Sequence, residues 1–363
     1  MTANGKTRPT IYHGDSTTDI QSAGHNLRTG FLIAFPTETV YGLGANAFLA
    51  PSVSSIFTAK GRPADNPLII HISSLSALYN LNLTLQPIHP YAIAVAQAFW
   101  PGPLTLVLPL SPTTQLSSLA TAGLQTVAIR VPSHPVAHSL LKAAQVPIAA
   151  PSANTSGKPS PTTIQHVLDD LDGRIDGIVD QGGVDGEFGV GVESTVVDCT
   201  TEEFPVVLRA GAVTADDIFR ETGIVVKQGC GSGKGEEVVG RPKAPGMKYR
   251  HYAPRAQLKL VERESLKQLV KEYVAAGKDP VGVLADREMC TELKGEFAMG
   301  VVISTCGSAE DVKSVARELY AGLRRFDETS VELILAVKVE EKGVGIAVME
   351  RLRKAASGGD VKG

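Results

Sequence analysis

The sequence predicts an α/β protein of two units, and three observations carry that prediction. At 363 residues the chain exceeds the usual size of one hydrophobic core. Short apolar, β-rich segments recur through the first part, each followed by a loop. After Pro254, strand and helix patterns alternate regularly. Between them, residues 227–246 (KQGCGSGKGEEVVGRPKAPG) are too rich in Gly, Lys, Glu and Pro to supply a core. The expected organisation is a mixed α/β domain over residues 1–225, a linker over 226–254 and a parallel-sheet domain over 255–363.

From Gly30 to Gly44 an apolar strand runs into a Pro-Thr-Glu-Thr turn and a second apolar run closed by glycines, which places Thr37, Glu38 and Thr39 on a strand-edge loop. Ser52 to Lys60 reads as a short helix stopped by Gly61 and Pro63, and PLIIHI (67–72) as a buried strand, so Lys60, Arg62 and Asn66 sit on the connector. LTLVLPL, TVAIRVP and VPIAAPSAN repeat the strand-then-loop pattern. Past Pro254 come LKLVE, a helix with Leu266, Leu269, Val270, Tyr273 and Val274 on one face, VGVLAD and MGVVIS. A helix carrying Val312, Val315, Leu319 and Leu323 follows, then ELILAVKV and a last helix, giving Rossmann-like layering. No GxGxxG follows its first strand, so that layer is expected to support or regulate rather than bind a dinucleotide.

Composition narrows the function. A net charge of −3 gives no basic field for non-specific nucleic-acid binding, so any RNA contact must be local. Cys199, Cys230, Cys290 and Cys306 are far apart and without CxxC spacing, which indicates neither zinc nor a disulfide framework. The longest apolar runs are too short and interrupted to span a bilayer, and the first ten residues lack an apolar signal region, so a cytoplasmic protein is expected.

Several clusters could carry chemistry. Lys60 and Arg62 lie two apart in an extended segment and can address one anion, although a lysine closing a helix and a solvated arginine would read the same. Residues 150–162 pack hydroxyls, an amide and a glycine into one loop, as phosphate or ribose recognition needs; an ordinary polar turn is the plain alternative. Gly189 to Asp198 presents Ser194 at the start of a strand. Arg130 and Arg209 each end an apolar strand, where an arginine is either paired with a carboxylate or aimed at an anionic ligand. His71 fits a satisfied core histidine, and His134 and His138 lack a third ligand for a metal. GCGSGKG (229–235) is no phosphate loop, because Gln228 replaces the first glycine and Gly235 the magnesium-binding hydroxyl.

Taken together and in order, FPTETVYGLGA, KGRPADNPLIIHI, WPGPLTLVL, VAIRVP, APSANTSGKPSPT, GVESTVVD and LRAGAVT resemble the YrdC-like threonylcarbamoyl-AMP synthase family. APGMKYRHYAP (244–254) resembles the segment that, in its longer two-domain members, joins the synthase domain to a C-terminal Rossmann-like domain and closes over the active site. The resemblance implies a twisted mixed-sheet α/β domain with a concave active site. It implies synthesis of L-threonylcarbamoyl-AMP and pyrophosphate from L-threonine, bicarbonate and ATP with Mg²⁺, the first step of threonylcarbamoyladenosine formation in tRNAs reading ANN codons. It assigns Lys60, Arg62, Ser152 and Asn154 to the signature pairs, and Asn66, Thr126, Thr162, Arg209 and Tyr252 to ATP. Thr39, His71, Arg130, Ser152 and Ser194 fall to threonine, and no metal ligand is assigned because Mg²⁺ rides on the phosphates. The choices of Thr39 over Thr37 and of Tyr252 over Tyr249 stay open.

The implied chemistry is positioning and charge stabilisation rather than side-chain nucleophilic attack. The labile product calls for a water-excluding lid, expected at Lys243 to Pro254. A downstream tRNA-modifying transferase would take the product; direct tRNA binding would be weak or absent, and the chain a monomer or dimer. A double-stranded-RNA-binding module is the competing reading, opposed by the acidic balance and few aromatics. A carbamoyl transferase fed by carbamoyl phosphate is another, and the acylphosphatase and zinc-finger modules that would accompany it are not visible.

Overall fold

A computed structural model describes residues 8–182, 189–229, 251–277, 280–297 and 299–356. Within them the chain forms two compact units. One comprises residues 8–156, 161–182, 189 and 193–229; the other comprises 157–160, 190–192, 251–277, 280–297 and 299–356.

The first unit is built on β1 (Thr10–Tyr12), β2 (Ile33–Phe35), β3 (Gly42–Asn46), β4 (Ile69–His71), β5 (Leu104–Pro109), β6 (Thr126–Arg130), β7 (Ile148–Ala149), β8 (Gly177–Val179), β9 (Thr195–Asp198), β10 (Val206–Arg209) and β11 (Lys227–Gln228). They form one mixed sheet in the order β1-β8-β2-β3-β7-β4-β6-β5-β9-β10-β11. Its helices are α1 (Thr17–Thr29), α2 (Ala50–Lys60), α3 (Ala77–Asn80), α4 (Pro90–Phe99), α5 (Pro135–Ala144), α6 (Ile164–Leu171) and α7 (Ala215–Thr222). Alternate residues of the central strands enter the main core: Leu68, Ile70 and Ile72; Leu104, Leu106 and Leu108; Val127, Ile129 and Val131. Lys227 and Gln228, which the sequence places in the linker, instead pair in parallel with Val206 and Val207 as an edge strand.

Local chemistry sets the helix ends. Pro51 starts α2, where a missing N–H is harmless, and Gly61 stops it with φ 61°, a left-handed cap that only glycine takes without strain. His134, which the sequence leaves without a third metal ligand, caps α5: its Nδ1 accepts from the Val136 amide at 3.2 Å.

The second unit carries β12 (Gln257–Val261), α8 (Leu266–Ala275), β13 (Val281–Ala285), α9 (Arg287–Glu296), β14 (Val301–Thr305), α10 (Val312–Arg324), β15 (Leu333–Val337) and α11 (Gly345–Ala356). All ladders are parallel, in the order β12-β15-β13-β14, the layering the sequence predicts. The sequence reading passes over α9, whose apolar stripe is thin; Asp286 starts it by accepting from the Met289 amide at 2.9 Å. No helix among the described residues is long and apolar enough to cross a membrane.

Candidate active site

The sheet of the first unit has two faces, and the parity of its strands sorts them. Ile69, Val107, Ala128 and Val196 stand one position off the core-facing residues and form a small apolar patch on the opposite face. Thr126, Arg130, His71, Thr105 and Ser194 continue the same parity around that patch. Residues scattered over more than a hundred positions of sequence are thereby gathered on one face.

Arg209 reaches this face through a β-bulge. Val207 pairs with Val197 and points into the core, so regular alternation would send Arg209 there too. The register shifts between them and pairs Arg209 with Val196 instead. Its Nε and Nη2 both donate to the Ser194 carbonyl, at 3.1 and 2.9 Å, and Nη2 also meets Ser194 Oγ at 3.1 Å. Ser194 Oγ lies 2.8 Å from Thr105 Oγ1. A side chain at Gly211 would come within 2.3 Å of the Thr195 amide, so only glycine permits this close return of the chain.

Arg130 is the centre of a second, buried set. Its Nη2 meets Glu38 Oε1 at 2.7 Å, Nη1 donates to Thr39 Oγ1 at 2.9 Å, and Nε donates to the Gly102 carbonyl. Thr37 shapes the turn instead: its hydroxyl donates to the Val40 carbonyl at 2.6 Å and accepts from the Thr39 amide. Burial raises the Glu38 carboxyl, but the Arg130 charge and hydrogen bond outweigh it and hold the group below the usual carboxylate range. Glu38, placed on the loop by sequence but given no role, is thus the carboxylate partner of Arg130. The signal was an acidic residue between two threonines ahead of an arginine that ends a buried strand.

His71 pairs with Arg130 across β4 and β6. Burial first, then the Arg130 charge, pushes its imidazole down to about 3, so it is neutral. The unfolded chain, at 6.5, binds this proton more readily than the folded one, so stability falls as pH drops through that window. Each pH unit below 6.5 is expected to remove about 1.4 kcal/mol. Urea unfolding at about pH 7 and about pH 5 should show that slope, and His71→Asn should flatten it.

The third set gathers around α2. Val53, Ile56, Phe57 and Lys60 recur at helical spacing on its buried face, which aims Lys60 inward. A solvated helix-end lysine is therefore excluded: Lys60 is 1 % exposed, and its Nζ donates to the carbonyls of Ser152 (2.6 Å) and Asn154. The Ser156 amide returns a bond to the Lys60 carbonyl at 2.8 Å. Arg62 donates to the Pro67 carbonyl at 3.2 Å and to the Asn66 carbonyl at 3.4 Å, which folds the connector. Asn66 is 1 % exposed, and its side-chain amide has no hydrogen-bond partner among the described residues. A buried amide in that state has capacity for a ligand.

Segment 37–41 joins the sets. The Tyr41 carbonyl accepts from Ala153, the Tyr41 amide donates to Pro161, and Thr39 touches Arg130. Thr162, beyond Pro161, holds its amide 3.3 Å from His166 Nδ1. Tyr252 lies in the second unit at φ 67°, its ring stacked on Tyr320 at 5.6 Å. Tyr249, residues 243–250 of the expected lid, and residues 230–235 of the glycine-rich stretch lie outside the described residues. Among the described residues no three His, Cys, Asp or Glu side chains are grouped to hold a metal ion.

Two family models match the chain in tandem. The Sua5/YciO/YrdC model, described as "Telomere recombination", covers residues 25–211, and "Threonylcarbamoyl-AMP synthase, C-terminal domain" covers 213–357. The threonylcarbamoyl-AMP synthase of Bacillus subtilis is 47% identical over 93% of this chain and 93% of its own length. That of Schizosaccharomyces pombe is 37% identical over 97% and 91%. The crystal structure of Pyrococcus abyssi Sua5 complexed with L-threonine superposes with a TM-score of 0.85 at 44% identity, covering 97% of this chain and 98% of that one.

Proposed function

The chain belongs to the threonylcarbamoyl-AMP synthase family, and from that premise we propose that it makes L-threonylcarbamoyl-AMP and pyrophosphate from L-threonine, bicarbonate and ATP. The observation that carries the residue assignment is the gathering of Arg130, Thr39, His71 and Ser194 on one buried face, beside the Lys60-tied Ser152–Asn154 loop.

Threonine brings a carboxylate, an ammonium and a hydroxyl. In the proposed site the Arg130 guanidinium faces the carboxylate, Glu38 balances the buried charge, and the hydroxyls of Thr39 and Ser194 and the neutral His71 address the polar remainder. The threonine amine, free of its ammonium proton, forms an N–C bond to the bicarbonate carbon; a C–O bond of bicarbonate breaks, and the hydroxide leaves with an amine proton as water, giving the carbamate. A carbamate oxygen then attacks the α-phosphate of ATP, and the α–β bridging P–O bond breaks to release pyrophosphate. Lys60, Arg62 and Arg209 would spread the charge that builds on the phosphates, with Mg²⁺ carried in on the nucleotide. Thr126, Asn154, Thr162 and the uncommitted Asn66 amide would hold the nucleotide.

The product would pass to a tRNA-modifying transferase, with weak or no direct tRNA contact. A reducing cytoplasm suits Cys199, Cys290 and Cys306, which are buried free thiols; burial pushes the Cys290 thiol up to about 11.

The Arg62 guanidinium is half-buried and donates to the Asn66 and Pro67 carbonyls. Arg62→Ala should therefore keep the cooperative unfolding transition while lowering the turnover rate about 100- to 1000-fold. Near-normal turnover in that variant would remove Arg62 from the phosphate-binding set.

A further inference from the structure

The second unit contains a cavity of about 210 Å³ at the carboxyl ends of its strands. From β13 the chain passes through α9 to β14 at one edge, whereas from β15 it passes into α11, which packs toward β12 at the other. Adjacent strands β13 and β15 therefore send their connections in opposite directions. In open parallel α/β sheets, ligands bind in the crevice beyond the carboxyl ends of such a strand pair. The cavity lies there: Asp286 directly follows β13, Lys338 and Glu340 follow β15, and α10 and α11 wall it.

The lining separates by polarity. Leu284, Val315, Leu319 and Leu352 make an apolar floor and are buried. Two cations, Arg263 and Lys338, and two carboxylates, Asp286 and Glu340, stand at the rim. Arg263 grips Asp286 with both terminal nitrogens, and Lys338 pairs with Glu262 at the surface. The cavity of about 210 Å³ accommodates a ligand the size of a free amino acid.

We propose that this cavity is a second ligand site, for an α-amino acid with a compact branched aliphatic side chain. The side chain would occupy the Leu284–Leu352 floor, the carboxylate would meet Lys338 and Arg263, and the ammonium would meet Asp286 and Glu340. This goes beyond the synthase reading, because threonine is assigned there to the first unit.

The test is calorimetric titration of the full chain with L-valine and L-isoleucine in saturating L-threonine, which occupies the catalytic site if that reading holds. Saturable one-to-one binding is expected, unchanged in Arg130→Lys. Ala309→Trp places a bulky ring at the exposed mouth without touching the core and should abolish binding. Lys338→Glu, at a surface position, should weaken it about 10- to 100-fold, as for one lost charge-assisted hydrogen bond. Absence of saturable heat with both amino acids overturns the proposal. So does binding that persists in both Ala309→Trp and Lys338→Glu, or that is lost in Arg130→Lys alone, which would assign it to the first unit and leave the synthase reading standing.

Discussion

Lys60→Ala is expected to lower pyrophosphate release about 100- to 1000-fold, the loss typical of removing one preorganised charge-stabilising contact. The residue has two connected tasks. Its ammonium ties the Ser152 and Asn154 carbonyls to the end of α2, and in the proposed site it would bring positive charge to the phosphates. Leaving those buried carbonyls unpaired is expected to destabilise the protein by about 1–3 kcal/mol. Rates should therefore be normalised to folded protein by circular dichroism. Lys60→Arg should not rescue the rate, because a side chain 1 % exposed leaves no room for a planar guanidinium. Turnover within a few-fold of the parent in either variant would remove Lys60 from the catalytic set.

The Glu38–Arg130 pair should give the largest stability effect. Glu38→Ala or Arg130→Ala alone strands a charge on the buried face and is expected to lower unfolding free energy by about 3–5 kcal/mol, measured by urea denaturation. Glu38→Gln with Arg130→Met removes both charges at similar volume and should recover most of that loss. Activity should not return with stability, since the fork assigned to the threonine carboxylate is gone. A double variant as unstable as the worse single one would mean that the pair acts through shape rather than charge. Recovered threonine-dependent activity would take Arg130 out of the threonine site.

The strands read from the sequence were legible because each is a short apolar run bounded by Gly, Pro or polar turns, and Gly61 marked the end of α2; the three-residue strands Thr10–Tyr12 and Gly177–Val179 went unread. The parallel layering after Pro254 followed from the alternation of two periodicities. The two-residue strand Lys227–Gln228 was not legible: it is polar and exposed, and only the neighbouring Val206–Val207 backbone makes it a strand. The helix at Arg287–Glu296 was hidden by a charged sequence whose clearest signal is its Asp286 cap. In the site, Lys60 was ambiguous because a helix-end lysine is usually solvated; its inward aim comes from sharing a face with Val53, Ile56 and Phe57. Arg209 could not be placed from alternation, since the bulge after Val207 reverses its face. The link from Glu38 to Arg130 spans a long stretch of chain and is visible only once segment 37–41 lies over the strands.

The central claim is that this chain joins threonine, bicarbonate and ATP. Pyrophosphate release from ATP with Mg²⁺ and bicarbonate, measured with and without L-threonine, tests it most directly. Release that requires threonine and is lost in Lys60→Ala is the predicted result. Release independent of threonine, or none at all from the folded parent protein, would contradict the account.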